Sequence, residues 1–363
     1  VYYGYATGPG GFLHSEDGLS WEGMPTPQID WDGLRPPTDN DEGMLEIGGA
    51  ECIDGRFYLV GGWFNMLGMS GYGTYTLVGD SPVGPFRPDV SAYRLCGNSL
   101  RWVALWARFC RTDREVLVNG YMYDGFTYET GHTYLPPLKR AVVDGGGHLR
   151  LGYWTGNDTL KGDPLDLAGA DVLLRHGATP PERSGTSLKL RAEPEVSSFA
   201  RINVPSAIAV FDLPLSADQG VVIEGTLQAS CSVPRLNAPG IGLFLEETPT
   251  EGTAILLEGT GRTCIGAAKL SEHVSFEWDD ITGPGCASVK GIIPGRRYAF
   301  RLLLRGNLFE MYLDDLLVQT FNTSHTPNAP GRTPQRLGLL VQNGCGTLDD
   351  LRAWRMTLET PLR

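Results

Sequence analysis

The segment Arg301-Leu-Leu-Leu-Arg-Gly-Asn-Leu-Phe-Glu-Met-Tyr-Leu-Asp-Asp-Leu-Leu-Val-Gln-Thr-Phe321 constrains the fold more than any other stretch of the chain. Its apolar runs are too short for helices, and Gly306-Asn307 and Asp314-Asp315 interrupt them where tight turns need residues that tolerate positive φ. The pattern reads strand, turn, strand, turn, strand. Similar short runs rich in β-branched and aromatic residues fill the rest of the chain, bounded by Gly, Pro, Asp and Asn, and long helix-period patterns are almost absent. The 48 glycines and 25 prolines are scattered between apolar runs, so they act as turn punctuation and not as a disordered tract. The expected class is all-β.

Two strand-rich regions are expected. In the first, Ser15-Glu-Asp-Gly-Leu-Ser-Trp21 and Asp80-Ser-Pro-Val-Gly-Pro-Phe86 each close a unit with a polar turn, a glycine and an aromatic residue, and a third unit carries the turn Asp144-Gly-Gly-Gly147. Units of this kind match the roughly 40–50 residues of a propeller blade. Residues 1–165 are therefore expected to form propeller blades, two to three of them, against the roughly four or more that a closed ring needs. The chain opens on Val1-Tyr-Tyr-Gly-Tyr5, a strand already in progress, and the expectation is that further blades precede it. Residues 166–195, which include Thr179-Pro-Pro-Glu-Arg183, read as a connector, and residues 196–363 as a β-sandwich.

The net charge of −12 argues against nucleic acid or an anionic membrane as a partner, since each rewards a basic face. No apolar run approaches the roughly 18 residues of a membrane-spanning helix. The seven cysteines include no C-x-x-C pair, and no clustered His and Cys ligands occur, so neither a metal nor another cofactor is expected. Asp30-Trp-Asp-Gly33 and Asp39-Asn-Asp-Glu42 offer oxygen ligands but lack the ordered spacing of a calcium loop, and they read as a solvated turn region. No Gly-x-Ser-x-Gly elbow, phosphate loop or His-Glu-x-x-His helix is present.

The stretch Glu46-Ile-Gly-Gly-Ala-Glu-Cys52 stands out for placing two carboxylates among small and apolar residues, just ahead of the turn Asp54-Gly55. Such surroundings suit a partly desolvated carboxyl group, the kind that can hold a proton for acid catalysis. Glu51 is the candidate catalytic residue, and a solvated glutamate before a turn is the plainer reading. Glu46 is a candidate ligand of a sugar hydroxyl. Trp63 offers an apolar face for ring stacking, Arg108 a guanidinium fork for a carboxylate, and His132 a donor to a hydroxyl. Each also has a structural reading: a solvated loop, packing between blades, a strand-edge ion pair and a satisfied core histidine.

Ala50-Glu51-Cys52 resembles the Glu-Cys motif of glycoside hydrolase family 32, the invertases and fructanases. The turn ending in Trp21, the segment Leu135-Pro136-Pro137, the strands from Leu308 to Phe321 and Gly346-Thr-Leu-Asp-Asp-Leu-Arg-Ala-Trp354 are similar to other parts of that family, and more loosely to family 43. The resemblance implies a five-bladed propeller followed by a sandwich, a carbohydrate substrate, no cofactor, and Glu51 as general acid/base. It also implies a nucleophile in an Asn-Asp-Pro motif and a stabilising aspartate in an Arg-Asp-Pro motif, and neither tripeptide occurs in the 363 residues. Both aspartates are thus expected upstream of Val1. The competing expectation is a non-catalytic carbohydrate-binding or interaction protein on the same scaffold.

Overall fold

The computed structural model describes residues 1–5, 11–31, 46–64, 72–95, 107–120, 122–124, 132–167, 169–192, 204–230, 239–272, 274–282, 285–286, 291–322 and 333–357. The chain divides into two compact units, Val1–Trp154 with Pro284–Ser288, and Thr155–Gly283 with Val289–Arg363. Both are built almost wholly from antiparallel strands.

The first unit holds separate small sheets. Strands β1 (Tyr2–Tyr5), β2 (Phe12–Ser15) and β3 (Glu22–Gly23) form one. β4 (Glu46–Ile53), β5 (Arg56–Phe64), β6 (Tyr72–Gly79), β7 (Arg87–Pro88) and β8 (Ala92–Arg94) form the second, with β4 at one edge. β9 (Arg108–Arg111), β10 (Val116–Asn119), β13 (Lys139–Val143) and β14 (Leu149–Tyr153) pair in that order, with β9 at the edge, while β11 (Met122–Asp124) and β12 (His132–Tyr134) form a hairpin between them in sequence. These are the propeller blades that the repeats predict.

The blade turns are built as their sequences suggest. The Asp17 carboxylate accepts the N–H groups of Leu19 and Ser20 at 2.7 and 2.8 Å. The Ser20 bond, then the Leu19 bond and a bond from Ser15, hold its pKa down to about 2. Asp144 accepts the N–H groups of Gly146 and His148 and the Arg150 guanidinium at 2.9, 3.1 and 2.7 Å. Burial pushes the Asp144 carboxyl up, but the Arg150 bond and the two N–H bonds outweigh it and hold it below the ordinary range. Between β12 and β13 the strand pattern is broken at residues 135–138. Pro136 and Pro137 have no N–H to give a ladder there.

The second unit is a two-sheet sandwich, preceded by a 3-10 turn over Thr155–Leu160. Its strands are β15 (Lys161–Leu165), β16 (Val172–His176), β17 (Glu182–Ser184), β18 (Ser187–Ala192), β19 (Ser206–Phe211), β20 (Val221–Ser230), β21 (Gly240–Thr248), β22 (Glu251–Glu258), β23 (Thr263–Leu270) and β24 (Val274–Thr282). After β25 (Gly285–Cys286), which runs parallel to β8 in the first unit, follow β26 (Arg297–Arg305), β27 (Leu308–Leu313), β28 (Leu316–Asn322), β29 (Arg336–Gln342) and β30 (Gly344–Met356). One sheet has the order β17-β18-β30-β20-β26-β27-β28, with β15 also on β30, and the other β16-β19-β29-β21-β22-β23-β24.

The inward residues of both sheets alternate along their strands and close one core, including Leu188, Leu190, Phe211, Ile223, Leu243, Leu302, Met311 and Leu339. A second apolar cluster, including Ile208, Phe244, Leu256 and Leu340, lies on the other face of the β16–β24 sheet and is also buried. The meander from Arg301 to Phe321 folds as its sequence predicts, with Gly306, Asp314 and Asp315 at φ of 60°, 47° and 60° in its two turns. The stretch expected to be a connector instead supplies β16, β17 and β18 to the two sheets. Its apolar residues do alternate, as in Leu188, Leu190 and Ala192, but over runs too short to stand out among prolines and charges.

Candidate active site

Glu51 lies in a strand, β4, not in a loop before a turn. Its sequence hides this, because Gly48-Gly49 has low strand propensity. The glycines serve close approach of β9: a Cβ at Gly48 would sit 2.3 Å from the Ala107 carbonyl oxygen, and one at Gly49 3.3 Å from the Phe109 ring. These small residues therefore admit a neighbouring strand to the backbone.

Gly48 is also where the β4–β5 register shifts, Ile47 pairing Gly61 and Gly49 pairing Val60. This bulge changes the parity of the strand. Glu46 pairs Gly62 and Glu51 pairs Tyr58, positions an even number apart on β5, so both glutamates share one face of the sheet. Four partner residues separate them, about 13 Å at a strand's rise. That is too far for both to flank one glycosidic bond, and it suits contacts to successive sugar units.

On the same face Tyr58 is buried and donates to the Gly147 carbonyl at 2.8 Å, and Arg56 reaches the same oxygen at 3.1 Å. Glu51 thus faces toward the β9–β14 sheet. Its partner comes from β9. The Arg111 guanidinium donates from Nη2 and Nε to Glu51 Oε1 at 2.9 and 3.3 Å, and from Nη2 to the Cys52 carbonyl at 2.5 Å. The Cys52 N–H donates to the same Oε1 at 2.9 Å. The Glu51 side chain is 19% exposed and that of Arg111 53%. The pair is therefore a screened clamp between two edge strands, worth little to stability by itself.

Arg108, the arginine singled out from the sequence, stands three residues earlier on the same strand and is exposed, its Nη1 3.5 Å from the Ala107 carbonyl. Arg111 is the residue that sequence reasoning missed. Both lie in Arg108-Phe-Cys-Arg111, and only the placement of β9 against β4 decides which one meets Glu51. Glu46 begins β4 and is half-buried. Trp63 lies in β5 opposite Gly73, and His132 in β12 opposite Asp124. The acidic residues 32–45 lie outside the described residues, apart from Asp30 and Trp31 at their border. Among the described residues no group of three or more His, Cys, Asp or Glu is placed to hold a metal ion, and no helix is long and apolar enough to cross a membrane.

No protein-family model matches the sequence, and no curated protein matches it. Solved structures do match by fold. The sucrose-6-phosphate hydrolase from Lactobacillus gasseri aligns with a TM-score of 0.51 at 12% identity, over 95% of this chain and 60% of that one. Fructan 1-exohydrolase IIa from Cichorium intybus aligns with a TM-score of 0.52 at 12% identity, over 95% of this chain and 66% of that one. The same exohydrolase as a glutamate-to-glutamine variant in complex with 1-kestose gives 0.52 at 13% identity, over 98% of this chain and 67% of that one. The chain thus spans 60 to 67% of the length of these proteins. At these identities the likeness is one of fold: β-propeller blades joined to a β-sandwich, the architecture of these glycoside hydrolases.

Proposed function

We propose that this chain belongs to a glycoside hydrolase acting on fructosides or related small-sugar glycosides, with Glu51 as its general acid/base. The observation that carries the reading is the position of Glu51. It is a largely covered carboxylate on an edge strand of a blade, in an architecture shared with proteins named as sucrose-6-phosphate hydrolase and fructan exohydrolase.

In a retaining glycosidase one carboxylic acid gives its proton to the leaving glycosidic oxygen as that C–O bond breaks, while a second carboxylate about 5–5.5 Å away bonds to the anomeric carbon. Water then attacks that carbon, its proton returning to the first carboxylate and the nucleophile leaving. In this reading Glu51 gives and retakes the proton. Its Oε1 accepts from Arg111, so in this reading the pair opens when substrate enters, and the exposed guanidinium then becomes a donor to sugar hydroxyls. Glu46 serves a sugar unit further along the same face, His132 a hydroxyl and Arg108 the rim, while Trp63, one residue past Gly62 on β5, holds a register position on the opposite face, and its stacking is not part of this arrangement. The second carboxylate belongs to none of the motifs present, since the 363 residues contain neither Asn-Asp-Pro nor Arg-Asp-Pro.

The Arg111 clamp favours a second reading, a carbohydrate-binding protein on the same scaffold in which Glu51 is a fixed acceptor. Hydrolysis of sucrose and 1-kestose by the protein that carries this chain, as wild type and as Glu51→Gln, separates the two. Turnover that the substitution removes supports the enzyme. Equal turnover in both overturns the role of Glu51, and sugar binding without turnover supports the second reading.

A further inference from the structure

The outer face of the sandwich's β17–β28 sheet carries an open groove of about 580 Å³, lined by none of the residues so far given a role. Its base is a β-bulge. Along β20 and β30, Glu224 pairs Arg352 but Thr226 pairs Asp349, so Gly225 alone stands opposite Asp350 and Leu351. The extra residue lets Leu351 stay in the core, 1% exposed, while Asp350 turns out to solvent at φ 52°. A non-glycine residue held in that region is uncommon and concentrates where ligands are bound. Asp315 at the rim comes from the β27–β28 turn, which accounts for its φ of 60°.

The bulge aligns a charged row across three strands, Arg352 on β30, Glu224 on β20 and Arg301 on β26. Arg301 Nε is 2.6 Å from Glu224 Oε1, Lys161 Nζ is 2.7 Å from the same oxygen, and Arg352 Nη2 is 3.7 Å from Oε2. Arg301 Nη1 also meets Asp315 Oδ1 at 2.7 Å. Glu224 is anchored from below, while Arg352, Asp315 and Asp350 have side chains 68%, 65% and 74% exposed and turned toward solvent. Beside them on β30 the half-buried Trp354 ring lies 5.7 Å from the Arg352 guanidinium.

We propose that this groove is a saccharide-binding site distinct from Glu51. Both signs line it, Glu224, Asp315 and Asp350 against Arg301 and Arg352, with Lys161 on Glu224 (2.7 Å) and Arg297 on Asp350 (3.0 Å) at its border. An anionic ligand meets three carboxylates and a cationic one two guanidiniums, so each meets repulsion. A neutral polyol gains from both, because each hydroxyl donates to a carboxylate and accepts from a guanidinium. The volume suits a mono- or disaccharide.

The test is titration of the full chain with fructose, sucrose, glucose and xylose, and separately with inorganic phosphate, followed by calorimetry and by amide shifts at residues 224–226, 299–301 and 350–352. At least one neutral sugar should bind with a Kd in the millimolar range and shift those amides. Arg352→Ala and Asp350→Asn should each weaken it about tenfold, the loss of one charge-assisted bond. Both side chains are exposed, and Asn keeps the positive φ, so both variants should unfold like wild type. Glu51→Gln should leave binding here unchanged, which keeps the result independent of the hydrolase reading. No sugar bound up to about 50 mM, phosphate bound in preference, or wild-type affinity in both variants overturns the proposal.

Discussion

Glu246 is the most deeply buried charge in the sandwich, with no exposed surface. It sits on β21 opposite Arg336 of β29, and it is also reached by Arg175, the residue bulged out of register on β16 between Leu174 and His176. Three guanidinium N–H groups hold it. Arg175 Nε and Nη2 lie at 2.5 and 3.0 Å, and Arg336 Nη1 at 2.9 Å. Arg175→Met keeps the apolar stem and removes two of the three donors. Leaving a buried carboxylate without its partner costs about 3–5 kcal/mol, and Arg336 still compensates one oxygen, so about 2–3 kcal/mol is expected. For a unit of about 200 residues each kcal/mol lowers Tm by roughly 2–4 °C, giving a fall of roughly 4–12 °C. Arg336→Met removes one donor and an exposed pair to Asp212 (2.8 Å), and should cost about 1 kcal/mol. Differential scanning calorimetry with urea unfolding at neutral pH reads both. A fall in Tm below about 2 °C for Arg175→Met, or a larger effect from Arg336→Met, would refute the view that Arg175 is the main compensation for this charge.

Two further outcomes are expected. Burial raises the Glu224 pKa, but the Lys161 and Arg301 bonds outweigh it and hold it below its ordinary value of 4.5. A carboxylate depressed in the folded state stabilises above its unfolded pKa and loses that contribution as pH falls through the folded one. The urea midpoint of Glu224→Gln should therefore trail wild type at pH 7, and the gap should close as the pH drops below the usual carboxylate range; a gap that stays constant with pH refutes the linkage. Gly48→Ala should destabilise the first unit by about 1–3 kcal/mol in thermal unfolding, since its Cβ meets backbone 2.3 Å away. A neutral result would show that β9 can back away from β4.

How much of this was legible in the sequence depended on whether the signal was local. The meander from Arg301 to Phe321 announces itself because alternation, turn residues and strand lengths agree within one short stretch. The strands β23 and β24 are harder to read, because Thr263–Leu270 and Val274–Thr282 mix glycine, alanine and charges with their apolar residues. β4 was missed for its paired glycines, whose reason is a backbone some sixty positions away. Glu51 could be picked out as a carboxylate among small residues, but its partner could not. Arg111 meets it across two edge strands, and no periodicity encodes the packing of one sheet on the next. Glu224 and Glu246 likewise read as ordinary outward positions of strands, and only the register across three or four strands shows what holds them.

The role of Glu51 is tested most directly by how its loss depends on the leaving group. A general acid matters most when the departing oxygen is a poor leaving group, and little when that oxygen departs without a proton. Turnover by the protein that carries this chain should be measured for wild type and Glu51→Gln on sucrose and on an aryl fructoside with an acidic phenol. On sucrose kcat should fall about 10²–10⁴-fold with KM little changed, and on the aryl substrate the step that releases the phenol should fall far less. Equal losses on both substrates, or no loss on either, would contradict the assignment of Glu51 as the proton donor.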